Sequence, residues 1–357
     1  MTRAILPNAG VAVTVEGNTF RNIRQPGYFQ GDGVILRNNY VEGTRGFVVC
    51  ANNEITLEGN TFGENAVDIA IIANGANEST YKKEFYDDVR ALSEKNNGAF
   101  VENQYSKTSA IGNGDSKALS DALKNATTIE LLAGTFELSE GVTIPAGKTV
   151  NGSSRDEVTL SMAEHTGNSW AVTLAGTLKN VSVIYDTERG AGTAWTTNPG
   201  GILFNAGGRL EGCRVAYFRN GLYANNIDGI TISNNIVDAN RTGIQFANAV
   251  GATVTYNTFS NNETMGVLLQ DLDPTGEAPK SIIVTDNVFD GNWFSDFENR
   301  WATEYPVDLS DNTFTKGSVV LKVQDSTGEP GGDATFTKPA SQVANIVTAL
   351  EKNVKYD

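Results

Sequence analysis

The sequence predicts an all-β chain wound as a right-handed parallel β-helix, with three short strands per coil and short capping or connecting helices. Three observations carry the prediction. The pattern aliphatic-x-aliphatic-x-x-Asn-x-aromatic returns at nearly regular intervals. Its apolar residues alternate with period two. A second apolar run, usually opened by Gly, precedes it in most repeats.

The first strand of each unit is read from VTVEGNTFRNI at Val13, VILRNNYVEGT at Val34 and ITLEGNTFGEN at Ile55. It returns as ITISNNIVDAN at Ile230, ATVTYNTFSNN at Ala252, IIVTDNVFDGN at Ile282 and VDLSDNTFTKG at Val307. Pairs such as Val13/Val15, Ile55/Leu57, Ile230/Ile232 and Val307/Leu309 send alternate side chains to one interior face. These runs are too short and too β-branched for helices.

Each corner is set by Asn. Asn18, Asn39 and Asn60 are spaced by 21 and 21, and Cys213, Asn235 and Asn257 by 22 and 22. Asn287 and Asn312 follow at 30 and 25, so insertions interrupt the late coils. A period of this size marks a solenoid whose units stack on one another. Asn suits a sharp bend because it tolerates positive φ, and stacked turns would align its amides in a hydrogen-bonded ladder. The residue two places on (Phe20, Val41, Phe62, Val237, Phe259, Phe289 or Phe314) is expected to fill the bore.

The preceding strand reads RGFVVC (45–50), GGILFN (200–205), NGLYAN (220–225), TGIQFA (242–247) and MGVLLQ (265–270). The LxxLxL signature and matching helix of a leucine-rich repeat are absent.

The pattern stops in the middle. Residues 80–95, TYKKEFYDDVRALSEK, read as an amphipathic helix with Phe85, Val89 and Leu92 on one side. Four segments follow: a short stack at 1–79, a helical connector at 80–109, a capped β-helix at 110–326, and a tail at 327–357 with a short helix. The segment from Ser116 to Ser154 contains a short helix, AGTF and IPAGKTVNGSS. It resembles the beginning of pectin-lyase-like β-helix proteins, with Ala118, Leu119, Ala122 and Leu123 placed to cover the open end of the stack.

Composition limits the partners. Acidic residues outnumber basic ones by 42 to 27, a formal charge of −15, which disfavours nucleic acid and anionic membranes. No run approaches the ~20 apolar residues of a membrane span. Cys50 and Cys213 lie in different repeats and read as two packed thiols rather than a disulfide or a zinc site.

The resemblance to the pectin-lyase-like superfamily covers most of the chain and implies the fold, not one activity. Enzymes of that superfamily place catalytic groups on the outer face of the second strand described above, or on the loops beside it. Here the outward rows read Leu203, Tyr223, Gln245, Leu268 and Asn205, Asn225, Ala247, Gln270, with no carboxylate, Lys or Arg. Polygalacturonase-like motifs are missing, and His165, the single histidine, sits in the polar segment AEHTGNS.

Chemistry is left to three insertions, 185–201, 270–280 and 291–306. As acids and base for a polysaccharide lyase or glycoside hydrolase they offer Asp186, Glu188, Asp271, Asp273, Asp296, Glu298 and Arg300. For stacking on a sugar ring, flanked by hydrogen-bonding groups, the candidates are Trp195, Tyr223, Trp293, Phe297, Arg300, Trp301 and Tyr305. The competing reading packs those rings against the side of the stack. Asp271 and Asp273 form a DxD turn that calcium would suit, as the one cofactor in view; a solvated acidic turn is the alternative. The expected function is a secreted or cell-surface module of bacterial type, adhesin-like, glycan-binding or structural, with a polysaccharide or surface glycan as partner. Self-association through an uncapped stack end is a further expectation, and an enzyme with its site in the insertions is the alternative.

Overall fold

The computed structural model describes residues 3–7, 11–31, 33–50, 55–72, 88–112, 114–162, 169–185, 198–270, 280–292, 295–299 and 307–315, with the backbone alone of 321–323 and 355–356. The chain forms two compact units: residues 1–136 with 148–158, and residues 137–147 with 159–357.

In the first unit, three coils stack in register. Thr14–Glu16, Val34–Arg37 and Ile55–Glu58 form one face, and Thr19–Arg21, Tyr40–Glu42 and Thr61–Phe62 the next. Gly27–Phe29, Phe47–Val49 and Ile69–Ile71 form the third face, which continues into Val101–Asn103. There the direction reverses, because Val101–Asn103 pairs antiparallel with Thr108–Ile111. Thr108–Ile111 then pairs in parallel with Thr128–Leu131, and that strand with Thr149–Gly152.

The buried side changes at the same place. Val101 lies opposite Ala110, and both belong to the core of Val15, Leu36, Phe47 and Ile69. Ala110 sits beside partly buried Glu130, whereas Ile111 sits beside fully buried Leu131 on the other face. The sheet thus has a core on one face before the hairpin and on the opposite face after it.

Helix α1, Val89–Lys95, buries Val89, Leu92 and Ser93, and its cap Asp88 accepts the amide of Ala91 at 2.9 Å. The sequence expectation began this helix at residue 80, but 73–87 fall outside the described residues. Arg90 from α1 pairs with Glu130 and donates to the carbonyl of Leu131 at 3.0 Å. Helix α2, Ser116–Asn125, is capped by Asp115 and buries Leu119, Ala122 and Leu123.

The second unit repeats the three-strand coil. One face carries Thr177–Lys179, Arg209–Glu211, Ile230–Ser233, Ala252–Thr255 and Ile282–Thr285, all parallel. The next carries Ser182–Tyr185, Arg214–Ala216, Ile236–Asp238, Thr258–Ser260, Val288–Asp290 and Thr313–Phe314. The third carries Val142–Ile144, Trp170–Leu174, Gly200–Phe204, Asn220–Asn225, Thr242–Ala247, Met265–Gln270, Ser295–Asn299 and Leu321–Val323.

The asparagines align as the repeat predicts. Asn39 donates to Asn60 Oδ1 from its backbone at 3.1 Å and from its side chain at 2.9 Å, and Asn18 reaches Asn39 in the same way. Asn60 continues to Asn96 at 2.7 Å, so the end of α1 supplies the last amide. In the second unit the backbone of Cys213 donates to Asn235, and Asn235, Asn257, Asn287 and Asn312 follow in one ladder.

One expectation needs correcting. The positive φ is carried not by the ladder Asn but by the residue before it: Asn38 (54°), Asn234 (57°), Tyr256 (58°) and Asp286 (57°). The ladder Asn is instead selected for its amide, which must donate and accept along the stack at once. A second ladder, five residues on, runs from the backbone of Phe218 through Asn240, Asn262 and Asn292.

The bore is apolar. Phe259, Phe289 and Phe314 stack with ring centroids 5.2 Å and 4.8 Å apart, and Val41 and Val237 are fully buried. Phe20 and Phe62 are partly buried against the edge of Phe47. Both cysteines are buried thiols.

Candidate functional site

The third face of the second unit builds the site. Ile202, Leu222, Ile244 and Val267 are buried, as are Phe204, Ala224, Phe246 and Leu269. Leu203, Tyr223, Gln245 and Leu268 are therefore aligned in register on the outward side. One rung further, the register continues to Glu298 and to the position of Lys322.

Strict alternation fails at the start of these strands, where the residue before the first core side chain also turns inward. A Cβ on Gly266 would stand 3.0 Å from the side-chain nitrogen of Asn292 in the second ladder. In the next rung the matching place is taken by Asp296, whose Oδ1 accepts that Asn292 amide at 2.8 Å. Burial pushes the Asp296 carboxyl up to about 6, eased by the Asn292 hydrogen bonds and reinforced by Asp290. Its Oδ2 has no hydrogen-bond partner among the described residues.

A cleft of about 320 Å³ opens on the outward side, over the rungs of Trp170, Gly200, Asn220 and Gln245. Trp170 and Tyr223 stack with centroids 5.4 Å apart and planes 29° from parallel. The indole lies across Gly200, where a Cβ would come within 2.2 Å of the ring. Burial raises the Tyr223 phenol above its ordinary range, partly offset by a hydrogen bond with Asn225. Asn220 donates to Gln245, and Gln245 donates to Gln270, an amide relay crossing three rungs. Arg219 also lines the cleft, with no ion pair among the described residues. Ser169, beside the indole, has an Oγ shielded from solvent and without a hydrogen-bond partner there.

Residues 176–330 match the family model described as "Right handed beta helix region". The chain is a right-handed parallel β-helix. No curated protein matches it. The matched region of the β-helix contains most of the cleft, from Gly200 to Gln245.

The β-helix brings together few of the residues expected from sequence. Tyr223 lines the cleft. Asp296, Phe297 and Glu298, expected in an exposed insertion, are fully buried in the strand Ser295–Asn299. The reason is local: SDFEN carries Phe297 in register with Val267 of the core, so the segment forms the next rung, with Glu298 beside Leu268, rather than an exposed loop. The claim that the outward row lacks a carboxylate also changes, since Glu298 continues it. Asp186, Glu188, Trp195, Asp271, Asp273, Trp293, Arg300, Trp301, Tyr305 and His165 lie outside the described residues. Arg214 pairs with Asp238 at 3.0 Å, an ordinary structural ion pair. No cluster of metal-ligating side chains occurs among the described residues. No described helix is long and apolar enough to cross a membrane.

Sequence reasoning missed Trp170, Asn220 and Ser169. Trp170 precedes the repeat that was legible, and its ring reaches a tyrosine 53 residues later across a glycine. A Gly at 200 beside a Trp one rung earlier is the signal that would have found it.

Proposed function

We propose that this β-helix binds a glycan along the cleft at Trp170, Tyr223 and Gln245, as a secreted or cell-surface module. The stacked Trp170–Tyr223 pair carries the reading, because a pyranose presents an apolar face to such a platform and hydroxyls to its rim. Asn220 and Gln245 supply that rim with amides, held in place by the buried Gln270, and Arg219 adds a charged donor.

Binding is favoured over cleavage. No carboxylate lines the cleft among the described residues. Asp296 is turned into the asparagine ladder, while Glu298 lies on the outward row. The two therefore do not face one another as an acid–base pair. A glycan array followed by titration of the full chain tests the reading. Trp170→Ala and Tyr223→Ala should each weaken binding about tenfold or more with the fold intact. Unchanged affinity in both variants would refute it.

A further inference from the structure

The glycan-binding reading fixes where a ligand sits, and the polarity of the cleft narrows what it carries. We propose that the cleft recognises an acetamido group, so that its ligand is a glycan containing 2-acetamido sugars. An acetamido group presents a carbonyl acceptor, an N–H donor and a methyl group in one plane. The cleft presents the complement.

Asn220 commits its Nδ2 to Gln245 Oε1, and Gln245 commits its Nε2 to Gln270 Oε1. This relay orients all three amides, since turning Asn220 over would set oxygen against oxygen. Asn220 Oδ1 is thereby left as an acceptor for the ligand N–H. The adjacent Arg219 guanidinium, without an ion pair among the described residues, is the donor for the ligand carbonyl. The Trp170–Tyr223 platform takes the pyranose face and the methyl. Ser169 Oγ, without a hydrogen-bond partner among the described residues, lies at the same wall.

Two other ligand chemistries fit less well. A sugar carboxylate would engage Arg219 but bring its negative charge toward Asn220 Oδ1, and the chain's charge of −15 opposes a polyanion. A neutral glucan hydroxyl is served by either atom alone and has no use for a fixed donor–acceptor pair.

The test uses the full chain and NMR titration with methyl glycosides of N-acetylglucosamine, N-acetylgalactosamine, glucose, galactose and galacturonic acid. At least one acetamido sugar should bind about tenfold more tightly than its parent hexose, one charge-assisted hydrogen bond's worth of discrimination. Saturation transfer should be strongest at the acetyl methyl. Arg219→Met should bring the acetamido sugar to parity with the hexose while binding to the hexose persists. Equal or tighter binding of glucose, galactose or galacturonate through Trp170 overturns the acetamido assignment and leaves the glycan-binding reading standing. If no sugar binds, or neither Trp170→Ala nor Tyr223→Ala changes affinity, both fall.

Discussion

Replacing Asp296 with Asn should stabilise the second unit at neutral pH and leave it unchanged in acid. Asp296 is fully buried, and its carboxyl titrates near 6 against an ordinary 3.8. Below about pH 3.8 the group is protonated whether the chain is folded or not, and contributes no difference. Between 3.8 and 6 the unfolded chain ionises first, so folding stability falls as pH rises. Above 6 the whole gap is felt, about 3 kcal/mol at 1.36 kcal/mol per pH unit. Asparagine keeps the Oδ1 that accepts from Asn292 and puts a neutral NH₂ where Oδ2 lacks a partner. The gain at pH 7.5 is therefore bounded by about 3 kcal/mol, or roughly 6–12 °C in Tm for a unit of this size. The assay is the difference between wild type and Asp296→Asn in thermal melts at pH 3.5, 5 and 7.5, which cancels the titration of every other carboxylate. A difference that is flat across pH, or largest in acid, would refute the reasoning.

Further outcomes follow from the same geometry. Gly200→Val should displace the Trp170 indole, red-shift its fluorescence and abolish glycan binding while the melting curve changes little. Asn257→Ala should cost about 3 kcal/mol or more, because it strands the Asn235 amide together with the carbonyls of Ile232 and Thr255. Asn18→Ala, at the exposed end of its ladder, should cost under about 1 kcal/mol by the same denaturant titration. Phe289→Ala should cost about 3–5 kcal/mol, since its ring lies between Phe259 and Phe314.

The coil was legible because burial and corner geometry repeat with the chain. Every Phe-bearing unit from Ile55 to Phe314 states the same inward side and the same bend. The second ladder was equally present in the letters, as the Asn five places after Asn235, Asn257 and Asn287, but a motif read from its first Asn hides it. The cleft was less legible because its walls come from separate rungs. Trp170, Asn220 and Gln245 acquire a common surface only once the register of three strands is known. Asp296 was misplaced for another reason. The inward slot at the start of each strand holds Gly at 266 and nothing in a period-two pattern marks it, so an Asp there read as a solvated acid.

The hairpin at Val101–Asn103 and Thr108–Ile111 has a consequence for chirality. Reversing strand direction while the rungs keep piling up in the same order would, alone, turn a right-handed winding into its mirror image. Exchanging the two sides of the sheet would do so as well. Done together, at the step from Val101 to Ala110, the two inversions cancel. L-amino acids thereby keep the hand that the twist of their strands imposes, even though the polypeptide has turned back on itself.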